Sequence, residues 1–342
     1  MHAHVQLVIG LALLMTLLGA EGETRAEMEK TLHLIEGTET LCIPGLMAHL
    51  ESITGGASLS ISNGLFPSTD TDLYPAYIDS LEGFRAAVES LDYGTDPEGC
   101  RQHINSLIGA QTQGMIPELL PPNSTPGNTK LVLTNAIHFM GVWDREFDKS
   151  LTRDHPFHVS EVESVPTPMM TDRDRETLYA EGDGWTAVEM PYADSSLAFT
   201  VYMPHDMAQT PDMSQGLWEE VRSSLSPTTL STLSIPKFKT AYTLDATTVL
   251  QDIGMHLAFG SGAQFGLMSD KGLQISDVFH QAVIDVSEQG TEAAAATAVV
   301  MVERCMPIGQ RPSFIADRPF LYSVTDTVTG MPLFTGRYMR PE

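Results

Sequence analysis

The sequence predicts an α+β fold in a single domain covering residues 1–342. Patterns typical of helices cluster early in the chain, patterns typical of strands follow, and the two do not alternate as they do around a parallel sheet. No segment repeats at a fixed period, and no low-complexity linker divides the chain. Because 42% of the 342 residues are hydrophobic, the chain can bury a large core, and extensive disorder is not expected.

Two early segments have the apolar spacing of amphipathic helices. Residues 24–34 place apolar side chains at helical intervals, and Thr24 with Glu27 forms a capping-box pattern that predicts a helix start at Thr24. Residues 97–110 carry one apolar stripe, which predicts a second helix packed against the core. The stripe consists of Ile104, Leu107 and Ile108.

Several later segments have the composition of β-strands. Residues 130–139 are too apolar for a strand with one face in water, and such a run is typical of a strand in the middle of a large sheet. Further strands are predicted at 197–203, 232–238, 278–286, 320–325 and 332–338. A turn at 327–330 joins the last two.

The charge balance excludes several classes of partner. The chain has 19 Lys and Arg residues against 44 Asp and Glu residues, which gives a net charge of −25. Nucleic acid binding draws its affinity from basic side chains that neutralise phosphates, and no basic cluster occurs in the sequence. An anionic membrane surface is disfavoured for the same reason. A strongly acidic surface suits solubility and could steer a basic partner.

The sequence lacks the usual signatures of metal sites and enzymes. Its three cysteines, Cys42, Cys100 and Cys305, are an odd number and predict no disulfide framework, although one pair remains possible. No C-x-x-C spacing occurs, and there is no nucleophile elbow, His-Glu-x-x-His motif or phosphate-binding glycine loop. We therefore expect neither catalysis nor a bound cofactor or metal ion.

Residues 5–18 form a nearly continuous apolar run whose role composition alone leaves open. A run of this length is too short to span a bilayer, which needs about 20 residues. A signal peptide usually has a basic segment before its apolar part, and residues 1–4 contain no Lys or Arg. Because Leu, Ala and Met are strong helix formers, a buried helix is the alternative.

Residues 290–302, GTEAAAATAVVMV, combine two conflicting structural preferences. Ala293–Ala296 favour a helix, whereas Thr297 and the valines that follow favour a strand. A segment that fits neither preference could exist in two states. The polar residues 303–312 come next and include Arg304. A plain surface loop after a short helix is the alternative interpretation.

Seven runs of residues give the sequence a resemblance to the serpin family over nearly its whole length. They are TNAIHF at 134–139, GVWDREF at 141–147, PKFK at 236–239, LQDIGMHLAF at 250–259, VFHQAVIDVSEQGTEAAAATA at 278–298, ADRPF at 316–320 and PLFTGR at 332–337. The glutamate-x-glycine-threonine-glutamate-alanine run is specific to the hinge of this family. The resemblance implies three β-sheets with a jacket of helices and an exposed reactive-centre loop, here about residues 288–312.

The resemblance also implies inhibition of serine proteases by a suicide-substrate mechanism. The protease cleaves the loop and forms an acyl-enzyme, and the cleaved loop then inserts as a new strand in the large sheet. The family's spacing from Glu288 places the reactive bond at Arg304–Cys305. Arginine at this position resembles the bait for a trypsin-like protease. Arg311 is a rival, but Pro312 follows it and makes a poor cleavage site.

The resemblance assigns roles to further residues. The hinge would comprise Glu288, Gly290, Thr291, Glu292, Ala293, Ala294, Ala295, Ala296, Thr297 and Ala298. Alternate residues from Thr291 to Met301 would face the core after insertion, and none of them is charged, which favours inhibition. Asn135 and His280 match polar residues at the point where the family's large sheet opens. Trp143 matches the tryptophan at the top of that sheet.

Several expectations about partners and location follow from the resemblance. A trypsin-like serine protease is the expected partner, and a monomer is the expected state. No basic cluster accompanies residues 42–53, so no heparin site is expected. The family's role favours an extracellular location, and residues 5–18 align with a core helix, not with a signal peptide. The alternatives are a non-inhibitory serpin that acts as a binding or storage module, and an inhibitor of cysteine proteases.

The chain departs from the family pattern at its beginning. The long first helix and short first strand that usually open the family's sequence have no counterpart, and the serines that usually lie under the large sheet are missing. We therefore expect a chain that is N-terminally truncated relative to the family, through a start site chosen too late or through true shortening.

Overall fold

The computed structural model describes residues 8–34, 43–53, 56–193, 196–207, 215–291 and 311–341. The helices are α1 Val8–Gly19, α2 Gly22–Thr31, α3 Ile43–Ser52, α4 Pro75–Ser80, α5 Pro97–Gln111, α6 Gln215–Ser224 and α7 Ala246–Asp252. The strands are β1 Ala57–Pro67, β2 Ala87–Val88, β3 Leu131–Val142, β4 Arg153–His158, β5 Ser164–Gly182, β6 Trp185–Pro191, β7 Leu197–Pro204, β8 Ser226–Pro236, β9 Phe238–Asp245, β10 Asp277–Ser287, β11 Gly290–Thr291, β12 Ser313–Ile315, β13 Phe320–Asp326 and β14 Pro332–Tyr338. Each segment predicted as a strand lies within or overlaps one of these, which confirms the α+β class.

The first of the two sheets has six strands, in the order β2-β1-β3-β11-β10-β9. β1 pairs with β3 over its whole length, from Ala57 opposite Gly141 to Pro67 opposite Leu131. β3 and β10 run parallel and pair directly along part of their length, whereas the two residues of β11 separate them at one end. This arrangement positions the candidate site described below.

The second sheet has eight strands, in the order β12-β8-β5-β6-β7-β13-β14, with β4 also paired to β5. The resemblance implied three sheets in all, and the described strands form two hydrogen-bonded units. The reason is the length of β5, whose 19 residues pair with β4 at one end and with β6 at the other. β8 pairs along the middle of β5, so the two smaller sheets are continuous.

Helix α1 lies in the centre of the molecule and confirms the prediction of a core helix for its described part. Leu11, Leu13, Met15 and Leu17 are all buried, and α1 packs against β3 and β1. A helix that is apolar on all sides is expected in this position. Among the described helices, none has both the length and the apolar content needed to cross a membrane.

The predicted helix start at Thr24 is wrong, because α2 begins at Gly22 and its N-terminus has no side-chain cap. Thr24 and Glu27 instead bind a distant segment of the chain. The Thr24 hydroxyl accepts a hydrogen bond from the backbone N–H of Gln264 (3.0 Å), and Glu27 Oε1 accepts from those of His256 and Leu257 (2.6 Å each). These tertiary hydrogen bonds take the place of the local capping box.

Helix α5 confirms the second helix prediction and covers one face of the six-stranded sheet. Asp96 caps its N-terminus by accepting a hydrogen bond from the Gly99 N–H. Ile104 and Ile108 are buried in one cluster with residues of β1, β3 and β10, so the helix lies over the seam between those strands. Cys100, also on α5, is a buried free thiol, while Cys42 and Cys305 lie outside the described residues.

Candidate functional site

The candidate site is the seam between β3 and β10. The two strands pair directly from Val132 opposite Asp277 to His138 opposite Val283. Beyond that point β11 lies between them and is antiparallel to both, with Thr291 opposite Gly141 on β3 and opposite Val286 on β10. The sheet is therefore closed at one end and opened by two residues of a further strand at the other.

Gly290 is required by the geometry of this opening. Its φ is +146°, a value that residues with a side chain rarely adopt. A Cβ atom at this position would also lie 1.9 Å from the carbonyl oxygen of Gly141. Only glycine therefore allows the chain to turn into the gap between the two strands.

Thr291 follows and is fully buried against aromatic side chains. Its hydroxyl lies 2.7 Å from the hydroxyl of Tyr192, which is buried as well. The Tyr192 ring stacks on Trp143, with 4.7 Å between ring centroids and 12° between planes. The first inserted residue is thus held by a hydrogen bond whose partner is fixed by packing.

The turn that leads from β10 into β11 is held by the segment after β3. The Trp143 indole N–H donates to the Ser287 carbonyl (2.8 Å). The Trp143 backbone N–H donates to the Gln289 carbonyl (3.0 Å). The Phe147 backbone N–H donates to the Glu288 carbonyl (2.8 Å). The tryptophan predicted at the top of the sheet therefore contacts the hinge turn directly.

Glu288 is a buried carboxylate with two side-chain partners. Oε1 accepts a hydrogen bond from the Thr152 hydroxyl (3.0 Å), and Oε2 accepts from the Lys237 ammonium group (3.1 Å). Burial alone would raise the pKa of this carboxyl, but hydrogen bonds from its own backbone N–H, Lys237 and Thr152 outweigh burial and lower the pKa. Glu288 is therefore an anion held in place at the start of the turn.

Asn135 and His280 lie opposite each other where β3 and β10 pair directly. His280 Nδ1 is 2.7 Å from Asn135 Oδ1, and Asn135 Nδ2 donates to Asn63 Oδ1 on β1 (2.7 Å). Burial lowers the pKa of His280 to about 4, although hydrogen bonding at Asn135 opposes this, so the imidazole is neutral at neutral pH. His280 Nε2 has no hydrogen-bond partner in the described part of the chain.

The remaining predicted site residues, Glu292–Ala298 and the Arg304–Cys305 bond, lie outside the described residues. At the far end of this segment, Arg311 forms an ion pair with Asp174 of β5. Sequence reasoning missed Lys237, Thr152 and Tyr192 as contacts of the hinge. The run at 236–239 contains Lys237, but no spacing rule connects that lysine to Glu288, 51 residues later.

The described residues offer no site for a metal ion. Groups of three or more His, Cys, Asp or Glu side chains with ligand geometry are absent from the ranges given above. The polar groups of the seam hydrogen-bond mainly to one another, so what the arrangement can do is hold, or release, a strand.

Replacing Glu288 with glutamine tests the electrostatic part of the site. The pKa of Glu288 is lowered in the folded protein, so its stabilisation is present above the ordinary glutamate pKa of about 4.3 and is lost as the pH falls through the lower folded value. We expect Glu288→Gln to lower the free energy of unfolding by about 1–2 kcal/mol at pH 7, and the difference from wild type to shrink below pH 4. Urea unfolding at both pH values measures it.

The matched control is Glu161→Gln, which removes one charge from an exposed position and should change neither value. A Glu288→Gln protein as stable as the wild type at pH 7 would contradict the account of the hinge anion.

Comparisons with known proteins agree with this geometry. The family model described as Serpin (serine protease inhibitor) matches residues 7–341. Serpin-ZXA of Oryza sativa subsp. japonica is 32% identical over 364 residues, which covers 98% of this chain and 89% of that protein. Serpin B6 of Pongo abelii is 34% identical over 342 residues, covering 96% of this chain and 90% of the relative.

Solved structures give the same result. Human thyroxine-binding globulin, in complex with its hormone, has a TM-score of 0.87 at 26% identity, over 99% of this chain and 91% of that one. Uncleaved ovalbumin has a TM-score of 0.85 at 25% identity, over 97% and 92%. With the family model matched over nearly the whole sequence, this chain belongs to the serpin family.

Proposed function

We propose that this protein inhibits serine proteases of trypsin-like specificity by the suicide-substrate mechanism, with Arg304–Cys305 as the cleaved bond. The observation that supports this most strongly is β11. Gly290 and Thr291 already occupy the first two positions of a strand between β3 and β10. A loop that continues from Thr291 needs only to extend the ladder that it has begun.

The register of β11 supports a specific pairing for the residues that follow it. Each further residue of the loop would pair one position earlier on both β3 and β10, because β11 is antiparallel to both. Ala293 would then lie opposite Phe139 and Ile284. Thr297 would lie between Asn135 and His280.

The side chains of the loop fit these positions. Residues that alternate with the buried Thr291 would share its face of the sheet, and they are Ala293, Ala295, Thr297, Val299 and Met301. None carries a charge. At Thr297, insertion would separate the Asn135–His280 hydrogen bond and present a hydroxyl to both groups, so that the buried polar atoms regain partners.

Insertion would also favour the final state through the backbone. β3 and β10 pair directly at seven positions, and insertion would replace this direct pairing with a new central strand. The new strand would pair with β3 on one side and with β10 on the other. The uninserted form is then metastable and persists because of a kinetic barrier. Fourteen residues from Thr291 to Arg304, at about 3.3 Å each, would carry an attached protease roughly 45 Å.

The chemical step belongs to the protease. Its serine Oγ attacks the Arg304 carbonyl carbon, the Arg304–Cys305 amide bond breaks, and the new amine of Cys305 leaves with a proton. The ester that remains links the protease to Arg304. Insertion then moves the protease and distorts its active site before water can hydrolyse the ester.

Arg311 is a poorer bait than Arg304 for a structural reason. Its side chain is paired with Asp174, and its carbonyl accepts a hydrogen bond from the Ser231 hydroxyl (3.3 Å). Pro312 follows, and its carbonyl accepts from the Ser231 N–H (2.8 Å). The carbonyls on both sides of the Arg311–Pro312 peptide bond are thus hydrogen-bonded to Ser231. These hydrogen bonds must break before the peptide bond can enter a protease active site.

A second candidate function is a non-inhibitory serpin that binds or stores a ligand. It is favoured by the likeness to ovalbumin and to thyroxine-binding globulin, which are members of that kind. The loop residues that would face the core weigh against it, because none of them is charged and a charge at one of those positions would obstruct insertion. The two candidates differ in whether a protease is trapped.

The first test of the inhibitory proposal is the bait residue. Wild-type protein incubated with trypsin should give a complex that survives denaturing electrophoresis. Arg304→Gln should slow its formation by about 10²-fold or more, because the acidic specificity pocket loses its partner. Arg311→Gln is the matched control and should leave complex formation intact. If trypsin cleaves the loop, stays fully active and forms no complex, the proposal is wrong.

The second test is the proposed position of Thr297 in the inserted strand. Thr297→Arg would place an unpaired guanidinium between Asn135 and His280, at a cost of several kcal/mol. We expect this variant to be cleaved without trapping, so that many more inhibitor molecules are consumed per protease inactivated. Thr297→Ser, which keeps the hydroxyl and adds no charge, should still trap. An unchanged stoichiometry for Thr297→Arg would contradict the register.

A further inference from the structure

Buried carboxylates in this acidic protein follow a rule with one exception. Four of them lie among the described residues, and three have a basic partner side chain. Asp172 pairs with Arg145 (2.8 Å) and Arg175 (3.4 Å), Glu288 with Lys237 (3.1 Å), and Asp326 with His49 (2.8 Å). The fourth, Glu189, has none in the described part of the chain.

Glu189 lies on β6 and is only 7% exposed. Its Oε2 accepts one hydrogen bond, from the Thr200 hydroxyl on β7 (2.9 Å). No described side chain donates to Oε1. The Glu189 carboxylate is therefore largely shielded from water and has a single neutral donor, and in proteins charges in such surroundings are usually paired or bind a cation.

The surroundings of Glu189 provide room for that cation. Glu189 lines a groove of about 620 Å³ on the eight-stranded sheet, within the range of small-molecule sites. Leu178 and Thr200 lie directly opposite Glu189 on the two neighbouring strands, and Pro227 lies opposite Leu178 on β8. The apolar lining consists of Leu178, Pro191, Leu197, Ala198 and Pro227.

The polar lining of the groove has one sign of charge. Glu176 joins Glu189 among the lining residues, and the other polar members are the threonines Thr177, Thr228, Thr229 and Thr327. Among the lining residues that the structure describes, none is a lysine, arginine or histidine. An anionic ligand is therefore disfavoured, and a neutral apolar one would leave the Glu189 charge without a partner.

We propose that this groove binds a small organic cation, an ammonium or guanidinium group carried on an apolar body. The charged group lies against the Glu189 carboxylate and donates to Oε1, while the apolar body packs on Leu178, Pro191 and Pro227. A single cation suffices for Glu189, and Glu176 adds attraction at longer range. None of the lining residues belongs to the hinge or to the seam, so this site is separate from the proposed inhibitory function.

The test uses phenethylamine as the probe and 2-phenylethanol as a neutral compound of the same shape, with calorimetry on the full chain. Wild-type protein should bind phenethylamine saturably and 2-phenylethanol at least tenfold more weakly. Glu189→Gln should reduce the affinity for phenethylamine at least tenfold. The matched control is Asp183→Asn, an equal change of charge at an exposed position of the same hairpin that does not line the groove, and it should bind as the wild type does.

A second measurement guards against an effect of folding. Because Glu189 has no basic partner among the described residues, the Glu189→Gln protein without ligand should unfold at the same urea concentration as the wild type or a higher one. It should also trap trypsin as the wild type does, because the groove is separate from the seam. Absence of saturable phenethylamine binding to the wild type, or equal binding by Glu189→Gln, overturns the proposal.

Discussion

The structure depends on one incomplete β-ladder, the seam in which β3 and β10 pair directly at one end and accept two residues of β11 at the other. A sheet whose central strands are separated at one end has backbone groups that an additional strand can satisfy. The contacts of the turn between β10 and β11 hold this opening. Gly290 permits the turn, Trp143 and Tyr192 contact it from the core side, and Glu288 anchors its start.

In a chain with 44 acidic residues, the few buried carboxylates are more informative than the many exposed ones. Most acidic side chains remain in water, where they contribute to solubility. The few that are buried each need a local explanation, because removing a charge from water is unfavourable without a partner. Glu288 finds that partner in Lys237 at the start of the turn into β11, whereas Glu189 has no basic partner among the described residues and lines a groove. The same physical rule thus identifies both the hinge anchor and the candidate ligand site.

Sequence patterns predicted those parts of the fold in which local chemistry decides the outcome. The stripe of α5 and the central strand β3 were predictable from periodicity and composition, whereas the burial of α1 was predicted only through the family resemblance. Long-range contacts decided the rest. Thr24 and Glu27 resemble a local cap but bind the segment 256–264. The polar residues in the middle of β5 gave no strand pattern, although β5 is a 19-residue strand that joins two sheets. Lys237 contacts Glu288 and Tyr192 contacts Thr291 because the folded sheets bring these residues together. No spacing in the sequence predicts either contact.

The central claim is that the segment after Thr291 can complete the seam as a strand, and thermal unfolding after loop cleavage tests it most directly. A protease that cuts once between residues 292 and 310 leaves the hinge free to insert while the rest of the chain stays intact. The account predicts that the cleaved protein unfolds more than about 10 °C above the uncleaved protein, because a central strand has been added. A cleaved protein that unfolds at the same temperature as the uncleaved one, or below it, would contradict the account.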